Sequence, residues 1–181
     1  MCFDYTVVIE SNMKKEQLKQ LLDFCIDSHT DKPLKPSKAF RKWDQKTLYA
    51  THSIWCAMTI LTETSLPEDV RYKGYQVLML HDILEDTDID DLTSIVSEDI
   101  IQSVKDMTFE SSAAEMSQIW DKDVFIKLLK LYDKVSNLLD GTWMDKEKMD
   151  RYRYYVKRLA RAVWLAYGDL NIVKIAEMLC R

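Results

Sequence analysis

Three glycines and three prolines in 181 residues leave this chain few ways of turning tightly. Hairpins depend on residues that accept positive φ or pre-set a turn, and sheet-rich folds use many of them. Long helices joined by few connections are what such a sequence can build. The apolar spacing agrees. Leu18, Leu21, Leu22, Cys25 and Ile26 draw one stripe along Lys14–Ser28, the i, i+3, i+4, i+7 pattern of a half-buried helix. Thr47–Glu63 is apolar nearly all round and should lie centrally. Lys122–Leu139 and Asp145–Tyr167 read as two strong helices, each stopped by a glycine, Gly141 and Gly168. With no internal repeat and no inter-domain linker, the expected fold is all-α, a single-domain helical bundle over residues 1–181.

The remaining segments carry weaker signals. Met1–Glu10 is partly β-branched (Thr6, Val7, Val8, Ile9) and reads as a strand-like arm or a partner-binding tail. Pro33 and Pro36 end the first helix and open a loop to about Asp44. Ser65-Leu66-Pro67-Glu68 has the form of a capping box with proline in the first turn. It launches a helix through about Leu84, interrupted at Gly74 if anywhere. Asp90 or Asp91 and then Ser97 could cap short helices ending near Thr108. Phe109–Ser117 reads as a polar loop, and Asp169 as the cap of a last helix, Leu170–Leu179.

Net charge is −5, which argues against a general nucleic-acid-binding surface and requires any anionic substrate to be met by a local group of Lys and Arg. No run of about 18 apolar residues suggests a membrane span. Cys2, Cys25, Cys56 and Cys180 are scattered, without a C-x-x-C pair, and read as core thiols rather than a disulfide framework. Met1–Glu10 lacks the pattern of a signal peptide, so the cytoplasm is the expected compartment. Oligomeric state is not legible.

Chemistry concentrates in three places. His52 lies in the most apolar helix. His81-Asp82-Ile83-Leu84-Glu85-Asp86-Thr87 follows a core-like run. Lys130-Leu131-Tyr132-Asp133-Lys134-Val135-Ser136-Asn137-Leu138 lies on the Lys122–Leu139 helix. On a helix, positions i and i+4 share a face, which pairs His81 with Glu85, Asp82 with Asp86 and Asp133 with Asn137. Burying such groups unpaired is costly. A divalent cation answers that cost, since imidazole and carboxylate together suit Mn²⁺, Fe²⁺ or Zn²⁺. Taken singly each element is bland: a lone buried histidine is more often a satisfied core residue, and an acidic run is usually a solvated loop.

The ordered set resembles the His…His-Asp…Asp signature of HD-superfamily phosphohydrolases. Within it, His81-Asp82-x-x-Glu85-Asp86-Thr87 is similar to the HD-x-x-E-D-T motif of the RelA/SpoT hydrolase domain. Lys130-Leu131-Tyr132-Asp133-Lys134-Val135-x-Asn137-Leu138 is similar to its K-L-A-D-[RK]-L-x-N-[ML]. Arg41-Lys42-Trp43-Asp44 and Leu48-Tyr49-Ala50-Thr51-His52 are similar to its R-K-D-G-x-P-Y-x-x-H-P. The match runs from about Lys14 to Leu139, and the C-terminal helices are compatible with small stand-alone, metazoan-type alarmone hydrolases. The resemblance implies metal ligation by His52, His81, Asp82 and Asp133, with Mn²⁺ the usual ion. It implies that Glu85 and Asp86 position and deprotonate the attacking water. Arg41, Lys42, Lys134 and Asn137 would contact a small-molecule nucleotide, Arg41 and Lys42 as a clamp. The implied reaction removes the 3′-pyrophosphate of guanosine tetra- or pentaphosphate.

The sequence departs from the family pattern where Ser53 stands for a proline, Tyr132 for a small alanine and Ser136 for a histidine or tyrosine. None of these removes an implied ligand, but they leave base and phosphate-chain preference open. Two alternatives remain: an HD-type nucleotidase or deoxynucleotide triphosphohydrolase acting at a 5′-phosphate, and a regulatory module that binds a nucleotide without turnover. Elsewhere, Arg151, Arg153, Lys157, Arg158 and Arg161 read as a solvated helix face, Tyr152, Tyr154, Tyr155 and Trp164 as core or interface, and His29 as a capping or surface histidine.

Overall fold

A computed structural model describes residues 5–35 and 38–181, with side chains from residue 15 onward; Met1–Asp4, Pro36 and Ser37 lie outside the described residues. Among the described residues the architecture is all-α, as expected from the scarcity of turn formers. The first helix, α1, spans Tyr5–Asp31, so the segment read as an arm is helical from Tyr5. Its β-branched run is too short to outweigh propagation of an adjoining helix, where each added residue gains a backbone bond without a new nucleus.

The axis of the bundle is α7 (Val124–Leu139), capped by the Asp123 carboxylate, which accepts from the Ile126 N–H. Leu128, Leu129, Leu131, Tyr132 and Val135 are buried around it. Against one side lie α2 (Ala50–Leu61) and α3 (Glu68–Leu80), the most extensively packed pair of helices. α1 covers both of them. Gly74 passes through α3 without interrupting it. A Cβ there would press on Ile60 and Leu129, so the missing side chain lets α3 lie close to α2 and α7. α5 (Glu98–Met107) packs on α3 and α7, while α8 (Lys146–Tyr167) and α9 (Asn171–Leu179) close the other side of α7.

Three local expectations are corrected. The helix after Pro67 does not reach Leu84. It ends at Leu80, and a single turn, α4 (Ile83–Asp86), follows. His81 causes the break: its Nδ1 lies 2.7 Å from the Leu78 carbonyl oxygen, an acceptor that a continuing helix would need. The presumed loop 109–117 instead contains α6 (Ser112–Gln118), begun by the Ser111 hydroxyl accepting from the Ala114 N–H. Finally, α9 is not capped by Asp169. The Glu63 carboxylate, at the end of α2, accepts from the Asn171 N–H at 2.7 Å, so a distant residue satisfies this helix start. Cys25, Cys56 and Cys180 are free and buried. No helix among the described residues is long and apolar enough to cross a membrane.

Candidate metal centre

The break at His81 determines how the motif is presented. Because α3 stops before His81 and α4 begins after Asp82, the four polar residues of this motif do not share one helix face. His81 and Asp82 turn inward, where His52 from α2 meets them. His81 Nε2 lies 3.3 Å from His52 Nε2 and 3.2 Å from Asp82 Oδ2, and His52 Nε2 lies 3.5 Å from the same oxygen. All three residues are buried.

The second nitrogen of each ring is fixed. His81 Nδ1 faces the Leu78 carbonyl, so it must carry hydrogen and donate, which leaves Nε2 with its lone pair in the neutral ring. His52 Nδ1 is 2.8 Å from Ser136 Oγ on α7. The Tyr49 hydroxyl donates to Asp82 Oδ2 at 2.9 Å. Two imidazole nitrogens and a carboxylate oxygen therefore converge in the interior, with outer partners of the kind that orient metal ligands. Spacings of 3.2–3.5 Å are those of neighbouring donors each about 2.0–2.2 Å from one cation. His52, His81 and Asp82 could hold a metal ion.

Asp133 stands beside this group. Its Oδ1 is 3.3 Å from His52 Nε2 and accepts from Asn137 Nδ2 at 2.7 Å, the i, i+4 pair expected on α7. Its Oδ2 lies 3.1 Å from both Lys130 Nζ and Lys134 Nζ. Electrostatics keeps both aspartates ionised despite burial. Burial pushes Asp82 up, but the two imidazoles outweigh it and its carboxyl falls to about 2. Burial likewise opposes ionisation of Asp133, yet Lys134 and Lys130 hold it well below the usual carboxylate range. Burial lowers the His52 imidazole, which favours the neutral, ligating form.

The two acidic residues of the second motif part company. Glu85 is exposed, accepts from the Phe109 N–H at 3.1 Å and lines a cavity of about 250 Å³ together with Asp82, Asp133 and Lys130. Although part of the residue meets solvent, its carboxyl loses hydration where it lines the cavity, and this together with the charge of Asp82 raises it above the ordinary value. Asp86 is absent from that lining. It is turned into the interior, 1 % exposed, and its Oδ1 pairs with Lys38 Nζ.

Beside the cavity, and sharing Tyr49, Ser112, Lys134 and Asn137 with it, runs a second cleft of about 170 Å³. Lys38, Arg41, Lys42, Lys134 and Lys148 line it, and among the described residues no carboxylate does. Arg41 is held rigidly: Nε donates to Asp140 at 2.7 Å and Nη2 to Asn137 at 3.0 Å. Lys42 and Lys148 both lie over the Trp143 ring, at 4.6 and 4.2 Å. Burial lowers the Lys42 ammonium, and Lys148 and Lys38 lower it further by like-charge repulsion.

All four residues expected to substrate-contact (Arg41, Lys42, Lys134 and Asn137) therefore meet in this one cleft. The sequence reading missed Lys38 and Lys148 there. Nothing in the spacing marks either, since one lies in a loop and the other in the first turn of α8. It also missed Tyr49 and Ser136 as partners of Asp82 and His52, although both fell within quoted motifs. It missed Glu115 of α6, which is buried and pairs with Lys130 and Lys134 at 3.3 and 2.8 Å. His29 is not a surface histidine: it is 1 % exposed and stacks on Tyr49 with ring centroids 5.3 Å apart. Arg151, Lys157, Arg158 and Arg161 of α8 are exposed and do not line the cleft, while Arg153 is half-buried. Arg151 pairs with Glu147, and Arg158 and Arg161 lie over Trp120 and Trp164. Comparison of the chain with protein-family models and with curated proteins finds no match.

Proposed function

We propose that this protein is a metal-dependent phosphohydrolase of the HD type, acting on the pyrophosphate group of a small nucleotide, with guanosine tetra- or pentaphosphate cleaved at the 3′-pyrophosphate as the leading substrate. One observation carries the reading. A buried His52–His81–Asp82 group suited to a divalent cation adjoins a cleft lined by Lys38, Arg41, Lys42, Lys134 and Lys148 without a carboxylate among the described residues. Lys38, Arg41 and Lys134 are paired behind the cleft wall with Asp86, Asp140 and Glu115, and Lys42 and Lys148 add to them a gathering of cations that favours a polyanion in a chain of net charge −5.

His52, His81 and Asp82 would hold the ion, with Asp133, whose Oδ1 lies 3.3 Å from His52 Nε2, as a fourth donor; Mn²⁺ is the leading candidate and Fe²⁺ or Zn²⁺ the others. Such an ion lowers the pKa of water and offsets charge on phosphoryl oxygens. The remaining work falls to side chains. Arg41 presents its planar guanidinium to the cleft on a fixed hinge of Asp140 and Asn137, while the lysines supply point charges that spread over the phosphate chain. Glu85, raised and facing the cavity, takes the proton from the attacking water. Asp86, buried against Lys38, anchors that lysine rather than meeting the water.

The test is Mn²⁺-dependent hydrolysis of guanosine tetraphosphate beside a panel of deoxynucleoside triphosphates, with products resolved by ion-exchange chromatography. Pyrophosphate and GDP support the alarmone reading. Cleavage of a triphosphate alone moves the protein to the nucleotidase branch. Metal retention with no turnover of any nucleotide leaves a binding module.

A further inference from the structure

Asp86 and His29 are each buried with one polar atom unmatched. Asp86 Oδ1 pairs with Lys38, while Oδ2 has no hydrogen-bond partner among the described residues; the same holds for His29 Nε2, whose Nδ1 faces the Cys25 carbonyl oxygen at 2.9 Å. Both residues are 1 % exposed. The backbone brings their segments together. Two residues beyond the end of α1, Pro33 pairs with Thr87, the Leu34 N–H donates to the Asp86 carbonyl at 2.9 Å, and α1 packs on α4. Orphaned buried polar atoms are rare because each costs as much as a lost hydrogen bond. A donor-starved carboxylate oxygen and an imidazole nitrogen in the same interior region answer each other.

We propose that His29, Asp86 and Lys38 form a positioning chain, in which the His29 imidazole holds Asp86 Oδ2 across one bridging water, so that Oδ1 holds the Lys38 ammonium at the edge of the cationic cleft. Lys38 is then the residue that meets an anionic phosphate, and His29 acts on it through Asp86 without touching substrate. Nδ1 of His29 keeps its hydrogen on the Cys25 carbonyl, so the bridge lies on the Nε2 side of the ring. Several charged or titratable groups act on this chain. Asp86 feels Lys38, Lys42, Tyr49 and Asp82 besides His29, and His29 lies against Cys25 and Tyr49. Burial and Asp82 raise the Asp86 carboxyl, while Lys38 and His29 oppose that rise.

The inference rests on the reading that the cleft takes phosphates, and two measurements separate its failure from a failure of that reading. The first follows the imidazole N–H resonances by NMR at fixed pH in a diamagnetic Mg²⁺ buffer; there are only three histidines to assign. In the wild type a slowly exchanging proton should be seen at His29 Nε2, and Asp86→Ala should abolish it, since the bridged acceptor is gone. The second measures binding of inorganic pyrophosphate by calorimetry. Lys38→Ala and His29→Phe should each weaken it about tenfold, the scale of one charge-assisted hydrogen bond. His29→Gln, whose amide can still donate to the bridging water, should recover most of that loss, which a purely steric role for the ring does not predict. A His29 Nε2 proton signal that is unchanged in Asp86→Ala overturns the His29–Asp86 contact whatever the protein binds. Wild-type protein that binds no pyrophosphate overturns the role given to Lys38 and the phosphate cleft together.

Discussion

Asp82 carries several contacts at once. It faces both imidazoles of the metal group, accepts from the Tyr49 hydroxyl and stays ionised in the interior because the imidazoles outweigh burial. Replacing it with alanine removes a donor outright. Mn²⁺ affinity of Asp82→Ala, read by calorimetry, should fall by more than about 100-fold, beyond the range produced by removing an outer partner. Glu85 lies outside this group, and its replacement should act differently. Glu85→Gln should keep Mn²⁺ affinity while turnover of the cleaved nucleotide falls by about 10²–10⁴. The wild-type pH profile follows from the same carboxyl. Burial and Asp82 raise it above its ordinary 4.5, and only its ionised form accepts a proton. Turnover should therefore decline as pH drops through a value above 4.5, and a profile measured from pH 4.5 to 8 should show this acid limb in wild type and not in Glu85→Gln. A wild-type rate in Glu85→Gln would remove this residue from water activation.

Among the elements, α6 stands out for how it is attached. This short helix (Ser112–Gln118) brings Glu115 into the interior between Lys130 and Lys134 of α7. The same two lysines also hold Asp133. Two ammonium groups and two carboxylates thus balance inside the protein, and burial of the lysines is tolerated because each keeps its charge paired. Glu115→Gln leaves a polar group in place but removes one negative charge from the set. Stability measured by urea denaturation should fall by about 1–3 kcal/mol, the cost of a buried charged group left short of a partner. The raised Lys134 titration, held up by Asp133 and Glu115 against burial, should move down in the same variant.

On the scale of the whole molecule, the site depends on helices whose ends are fixed by residues far along the chain. Glu63, at the end of α2, satisfies the start of α9 108 positions away. That bond ties the C-terminal helix to the helix carrying His52. Glu63→Ala should cost about 0.5–2 kcal/mol in urea denaturation, as loss of a helix N-cap does. Mn²⁺ affinity should be unchanged, because α9 contributes no donor to the metal group. A parallel loss of metal would mean that docking of α9 and the geometry around His52 are coupled.

The helical fold was legible because it depends on local chemistry: few turn formers, apolar stripes at helical spacing, and a glycine just past the ends of α7 and α8. The convergence of His52, His81 and Asp82, which could hold a metal ion, was foreseeable because histidine and aspartate in a core-like setting need a partner, whatever the packing. Where helices stop was decided by competition that spacing does not record. His81 claims the Leu78 carbonyl and divides the motif, which turns Glu85 to the cavity and Asp86 to the interior. The full cationic lining of the second cleft was decided by tertiary structure, because Lys38 and Lys148, unlike Arg41, Lys42 and Lys134, belong to no motif and reach the cleft only after packing. Charge at one point in space is a sum over distant positions, and no stretch of sequence contains that sum.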